Sequence, residues 1–516
     1  MERRDFLRGL AGAAGLPLLP GGAHALTPAA NTTAPTAFQP DDWQAAFDSH
    51  RAEHPWQMGF EGLQADVAPM PLKLHGRLPP DLRGAFLRNG PARHTLGGQR
   101  YHHWFDGDGM VQKYEIGAGG IVHRGRFVRT EKFAADSAAG HPVRAAFGTS
   151  LPGMEPITSP DSINVANTSL VSHGGEFLAL WEGGSATRVD PASLDTLGVK
   201  TLNADYAGMP FSAHPKIGPD GVLWNFGVSS RQGVLSIYRI SPDGRDVQAT
   251  SMKVPNIAMV HDFAVTERHL VFLLPSLVFD VARSDAGASF LDSHVWRPEL
   301  GMRVMVLPKD RLDAPRWFEL PAGFVFHVGN AWEDAKGETI HLDYVRSDDA
   351  SYATHGLRNV MRGEHDVPPP TWLTVVMLDL RSGRARQDAL AGRVEFPRVD
   401  PRRVSRRHRE VFVAQRVGTG DQPMFDAVAR LDVASGRIDR YRYGPDVMAE
   451  EHVFVPRTGR GAREGEGWLL GTALDIRRRA MLFSVFDARQ LAAGPVAQGV
   501  LPRVMPLGLH AVYLPA

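Results

Sequence analysis

The sequence predicts an all-β protein built as a β-propeller, and three observations carry that prediction. From about residue 70 onward, short β-branched and apolar runs such as LVFLL (270–274), LTVVMLDL (373–380), VFVAQRV (411–417) and VARLDV (428–433) are bounded by polar turns. Four turns share one design: VDPASLDT (189–196), ISPDGRDV (240–247), LDLRSGRA (378–385) and LDVASGRI (431–438) each join a strand to an Asp/Ser/Gly turn and then to a second strand. Convincing helical patterns are few. Hairpins repeated at blade-sized intervals suit a propeller. A β-sandwich uses hairpins too, and the repeats are too degenerate to count blades.

Taken in order, the chain divides into three parts. Residues 1–25 read as a signal peptide: a basic start, a short Gly-rich apolar stretch and the small-x-small site Ala23-His24-Ala25. The pair Arg3-Arg4 followed by Asp5-Phe6-Leu7 resembles the bacterial twin-arginine signal, which implies export in the folded state to the periplasm and a mature start near Leu26. Residues 26–40 are rich in Pro, Thr and Ala and read as a flexible linker. Residues 41–516 read as one propeller domain, opened by a short helix over DDWQAAFDSHRAEH with Asp41 or Asp42 as its cap.

Composition narrows the chemistry. Of 516 residues, 43% are hydrophobic and 22% charged, ample for a large core. The formal net charge is zero, so no general attraction to nucleic acid or to an anionic membrane follows. Cysteine is absent, which removes disulfides, thiolate ligands and cysteine nucleophiles together. A metal would have to use His, Asp or Glu, and there are 21 histidines. Four of them share a setting: His214 in FSAHPKIGPDG, His261 in IAMVHDFAVTE, His327 in GFVFHVGNAWE and His510 in PLGLHAVYLPA each follow a small or apolar stretch and precede a strand or turn. Inner strands of a propeller converge on its axis, so histidines far apart in sequence meet there in one reading; in the other each is a satisfied core residue.

Ten blocks in order resemble the carotenoid cleavage oxygenase family, which includes lignostilbene-type dioxygenases. They are FLRNGPARH (86–94), YHHWFDGDGMV (101–111), FVRTEKF (127–133), LALWEGG (178–184), SAHPKIGPDG (212–221), HDFAVTE (261–267), FHVGNAWE (326–333), EFPRVDPR (395–402), EEHVFVPR (450–457) and PLGLHAVY (506–513). The resemblance implies a seven-bladed propeller with loops and a few short helices capping one face. It implies Fe(2+) on the axis, held by His214, His261, His327 and His510, with Glu182, Glu395 and Glu451 hydrogen-bonded behind three of them. Two departures stand out. His452 follows the third glutamate where the family has proline, and Glu450 beside Glu451 leaves a one-residue ambiguity. Leu507 replaces an aromatic before Gly-x-His, a change expected to reshape the substrate channel.

The implied activity is a non-haem iron dioxygenase that cleaves a conjugated carbon–carbon double bond of a carotenoid or apocarotenoid with O₂, giving two carbonyl products. A hydroxystilbene or phenylpropenoid is the alternative substrate, and a non-catalytic exported binding propeller the alternative of another class. Trp104 and Phe105 are placed near the channel. Lys132, in a strand-like stretch, either points to solvent or meets a substrate phenol. DGDG (106–109) reads as a tight turn, and residues 274–296 as either an ordinary loop or an apolar rim touching a membrane.

Overall fold

A computed structural model describes residues 40–365, 370–457 and 463–516. The expected signal peptide, its Arg3-Arg4 pair and the linker up to residue 39 lie outside the described residues. Pro40, expected as the linker's last residue, already opens the first helix, Pro40–Ser49, so Asp41 and Asp42 fall inside its first turn instead of capping it.

Seven antiparallel blades surround one axis, as a propeller requires and a sandwich does not. Their innermost strands, in ring order, are Ala511–Pro515, Ser169–His173, Lys216–Ile217, Ala264–Val265, Phe324–Glu333, Val394–Arg398 and Val447–Pro456. The first blade is closed by both chain ends. Its inner strand is the C-terminal Ala511–Pro515, which pairs with Gly84–Arg88, and the seventh blade takes its outermost strand, Lys73–Gly76, from near the start of the domain. Apolar residues fill the spaces between blades; the largest cluster runs from Trp56 and Phe60 through Tyr114 to Phe483 and Leu507.

The four similar turns occupy one place in the architecture, between the third and fourth strands of blades two, three, five and six. Their aspartates make the turn. Asp379 Oδ1 accepts the amides of Arg381 (2.8 Å) and Ser382 (3.1 Å), and Asp432 Oδ1 accepts those of Ala434 (3.0 Å) and Ser435 (3.1 Å). Gly383 and Gly436 then take φ of 72° and 69°, which a side chain would disfavour.

Strand direction alternates within a blade. Connections between second and third strands, and between one blade and the next, therefore share one face, and the repeated Asp turns share the other. Among the described residues, long insertions on the first face comprise 89–107, 128–168, 275–301 and 348–365. They carry the helix Glu131–Ala139 and the short helix Val281–Asp285. The inner strands begin on this same face, so the insertions roof the axis where the predicted histidines lie.

Because Ala511–Pro515 supplies the inner strand of the first blade, deleting residues 511–516 should leave the inner edge of Gly84–Arg88 unpaired and open the ring. We expect thermal unfolding followed by circular dichroism to show a clearly lower midpoint or loss of the cooperative transition. Wild-type melting of the truncated chain would contradict closure by the C-terminal strand.

Candidate metal centre

His214 and His261 sit just ahead of the inner strands Lys216–Ile217 and Ala264–Val265, and His510 just ahead of Ala511–Pro515. His327 lies within its strand, where the pairing register slips between Val325 and Val328 and the strand turns the ring toward the axis. The four rings meet. Nε2 of His214 lies 2.9 Å from Nε2 of His261, which lies 3.2 Å from Nε2 of His327, which lies 3.1 Å from Nε2 of His510. All four ligand atoms fall within 4.8 Å of one another.

Behind the rings stand carboxylates from the three remaining blades. His261 Nδ1 pairs with Glu182 Oε1 of blade two, His327 Nδ1 with Glu395 Oε2 of blade six, and His510 Nδ1 with Glu451 Oε1 of blade seven at 2.9 Å. His214 has no carboxylate partner among the described residues. The ambiguity at 450–451 resolves through a break in register between Ala449 and His452. Glu451 faces His510, and Glu450 turns to the buried Arg88 and the amide of Gly508. The His452 ring lies between the Glu450 carbonyl on Nδ1 and the Tyr443 hydroxyl on Nε2, each at 2.9 Å.

Burial governs the charge of this site. It pushes His214 well below its ordinary value, helped by the three other imidazoles, and takes His510 down to about 4. Burial works against the charged form of His261 as well, but the negative charge and hydrogen bond of Glu182 outweigh it and raise that ring. Glu451 is also opposed by burial, yet the Arg398 guanidinium and His510 hold it down at about 2.

The donor set fits a divalent transition metal. Imidazoles at right angles on an ion held at ~2.1 Å lie about 3.0 Å apart, against about 3.4 Å for a tetrahedral pair. The observed neighbours, 2.9 to 3.2 Å apart, lie in the range expected of imidazole nitrogens that would share one ion. Three carboxylates against the one guanidinium of Arg398 leave two negative charges around the rings, the complement of a divalent cation.

Two residues of this site were missed in the sequence. Arg398 grips Glu451 with two parallel hydrogen bonds, 2.8 and 2.9 Å, and so orients the carboxylate behind His510. Asp262 accepts the amides of Phe263 and Val328 and pairs with Lys216 at 2.7 Å, locking the strands that carry His214, His261 and His327 together. Both lie inside quoted blocks, HDFAVTE and EFPRVDPR; only the fold shows which way they point. Phe396, held at φ 55° by the amide bond to Glu395, lays its ring against His327.

An apolar cavity of about 660 Å³, including its open mouth, reaches this site. Glu395 and Phe326 mark its inner end, and the Phe326 ring lies 5.3 Å from that of His261. Phe105 touches Phe326 at 6.1 Å between centroids, whereas Trp104 packs behind it against Phe60. Leu507 does not line the cavity: it is buried in the core, its amide bonded to Gly59 O at 3.0 Å. The segment 274–296 forms a small hairpin, Leu277–Phe279 with His294–Trp296, whose inner side packs on Phe324 and Phe326.

Lys132 requires a correction. It lies on a helix, Glu131–Ala139, capped by Thr130 and ended by Gly140 at φ 75°, and not in a strand. The helix was legible, because Thr before Glu and Gly ten residues later are ordinary start and stop signals. Lys132 does not point to solvent: it is fully buried, with Nζ 2.6 Å from both the Tyr101 hydroxyl and Asp136 Oδ2.

The fold and the site can now be set beside known proteins. Residues 61–515 match the sequence profile of the family described as retinal pigment epithelial membrane protein. The apocarotenoid-15,15′-oxygenase of Synechocystis sp. is 30% identical over 94% of this chain and 98% of its own. The isoeugenol monooxygenase of Pseudomonas nitroreducens is 29% identical over 88% of this chain and 96% of its own. The crystal structure of the cobalt-substituted Synechocystis oxygenase superposes with a TM-score of 0.81 at 28% identity, covering 90% of this chain and 98% of that one. A seven-bladed propeller with this extent of matching sequence places the chain in the retinal pigment epithelial membrane protein family, the family of the carotenoid cleavage oxygenases.

Proposed function

We propose that this protein is an iron(II)-dependent dioxygenase that cleaves a conjugated double bond of a carotenoid or apocarotenoid, each carbon of the broken bond taking one oxygen atom of O₂. The observation that carries the reading is the meeting of four histidine Nε2 atoms with no carboxylate among them and three carboxylates behind. Neutral imidazoles suit Fe(2+), and His214, His261, His327 and His510 would hold it. When bound, ferrous iron supplies the O₂ activation that no side chain provides. The chain does the rest by position. Glu182, Glu395 and Glu451 fix the tautomer of three rings by accepting hydrogen bonds from their Nδ1–H groups, so that each Nε2 offers its lone pair. Phe326, backed by Phe105, and Phe324 form an apolar wall of the cavity, which excludes water and aligns an extended alkene. No protein acid or base is needed.

The phenylpropenoid reading is favoured by the isoeugenol-acting relative, but Lys132 no longer argues for it. Its ammonium already has Asp136 as counter-charge, so it does not need a phenol. A non-catalytic binding propeller would have no use for three carboxylates arranged behind the rings. We further propose export by the twin-arginine route and peripheral membrane contact through the exposed Phe290, Val281 and Leu300 beside the 274–296 hairpin.

Replacing His261 by Ala should remove most bound iron, by elemental analysis, and all alkene cleavage, with the β-rich circular dichroism retained; full iron occupancy would count against its role as a ligand. Glu395→Gln should weaken iron affinity or turnover by roughly 10- to 100-fold. Lys132→Met leaves the buried Asp136 without its counter-charge and should lower stability by about 3–5 kcal/mol in denaturant titration, with stilbene and polyene turnover falling together. A loss confined to a hydroxystilbene would restore the phenolic reading. Replacing Arg3 and Arg4 by Lys should leave the precursor in the cytoplasm, and normal export of that variant would refute the twin-arginine route.

A further inference from the structure

The cavity is apolar along its body but not at its outer end. Phe324, Phe326, Val345, Met424 and Phe425 line the body, and two arginines, Arg393 and Arg416, border the same space. Arg393 is exposed, and Arg416 is buried. Burial, and next the charge of Arg393, hold the Arg416 guanidinium below its ordinary value, so the two cations sense each other across the cavity wall.

Neither arginine has a carboxylate partner among the described residues. Arg416 spends its Nη groups on backbone carbonyls of its own loop, Gln422 O, Met424 O (3.3 Å) and Gly420 O (2.8 Å), which neutralise no charge. The carboxylates closest to it electrostatically are committed elsewhere. Asp426 is bonded to Arg442 and to the amides of Val417 and Gly418, and Asp421 to His54 and His365. The Arg393 guanidinium makes no hydrogen bond among the described residues. Its backbone sits at φ 56°, a conformation an arginine adopts at some energetic cost and a glycine would take freely. It is pinned there by its own amide to Thr371 O (2.6 Å) and by the Arg416 amide to its carbonyl (2.8 Å). Tyr352 faces the same cavity, and its hydroxyl has no hydrogen-bond partner among the described residues.

An apolar passage that begins at a metal centre and ends at two uncompensated guanidinium groups is matched by a ligand that is apolar along its length and anionic at one end. We propose that the cavity takes a conjugated alkene carrying a carboxylate at its far end, with Arg393 as the main anion contact at the mouth, Arg416 adding charge and Tyr352 donating a hydrogen bond. Arg393 lies two residues before Glu395, at most about 7 Å along the chain. The carboxylate is thereby held apart from the metal end, and the alkene between them passes over Phe326. This inference rests on the oxygenase reading for the identity of the alkene, but the anion site can be tested by binding alone.

The test compares an all-trans polyenoic acid with its methyl ester. Binding is read by quenching of tryptophan fluorescence in wild type, Arg393→Gln and Arg393→Lys, and cleavage is read by product chromatography. Wild type should bind the acid more tightly than the ester. Arg393→Gln should weaken acid binding about 10- to 100-fold, the worth of a hydrogen bond to a charged group, while the ester changes less than about twofold. Arg393→Lys, which keeps the charge, should retain much of the preference. Equal binding of acid and ester by all three proteins, with both compounds cleaved, overturns the anion site and leaves the oxygenase reading intact. Acid-selective binding by a wild type that cleaves neither compound supports the anion site and counts against the oxygenase reading.

Discussion

The axial site depends on hydrogen bonds that cross between blades, from histidine Nδ1 on one blade to a glutamate on another. His261 and Glu182 join blades four and two, His327 and Glu395 join five and six, and His510 and Glu451 join one and seven. With His214 on blade three, every blade contributes one residue to the axis. A metal held this way reports on the whole ring, because shifting any blade moves a ligand or its support. The most heavily built of these joints lies at the seam where the ring closes. There Glu450 binds Arg88 and the Gly508 amide, while Glu451 binds His510, Arg398 and the Ala511 amide at 2.7 Å. Successive residues of one strand thus fasten the last blade to the first, and the ligand His510 lies between the two attachments.

Such a cluster is unfavourable without its ion. Three carboxylates face each other across buried rings, and taking such charges out of water costs several kcal/mol each unless they are compensated. Bound metal supplies the missing positive charge, so metal affinity and local order at the axis should rise together. Elsewhere large apolar clusters fill the spaces between blades, and they can keep the propeller folded when the axis is perturbed. That division separates what holds the fold from what holds the metal.

Much of this was legible in the sequence. The Asp turns at 190, 243, 379 and 432 betray a repeated hairpin, because in four of the seven blades a short acidic side chain caps the turn that joins the third strand to the fourth. The four histidines were legible through their quoted blocks, and the structure brings them together. Arg398 and Asp262 were not, since strand bulges at 325–328 and 395–398 decide which side chains turn to the axis, and a bulge leaves little trace in composition. Lys132 was read as part of a strand-like stretch, although Thr130 and Gly140 are the start and stop signals of the helix that carries it. Leu507 was assigned to the channel from its position near His510, yet three residues ahead of His510 the chain is still inside the core against Gly59.

The account stands on the claim that four imidazoles, and no carboxylate, bind the metal directly. Iron analysis combined with X-ray absorption at the iron edge, on protein purified without oxygen, addresses that claim most directly. The account predicts about one iron per chain in a shell of four imidazole nitrogens, with the remaining positions filled by exchangeable solvent. A shell containing a protein carboxylate oxygen, or a folded protein that takes up no iron, would contradict it.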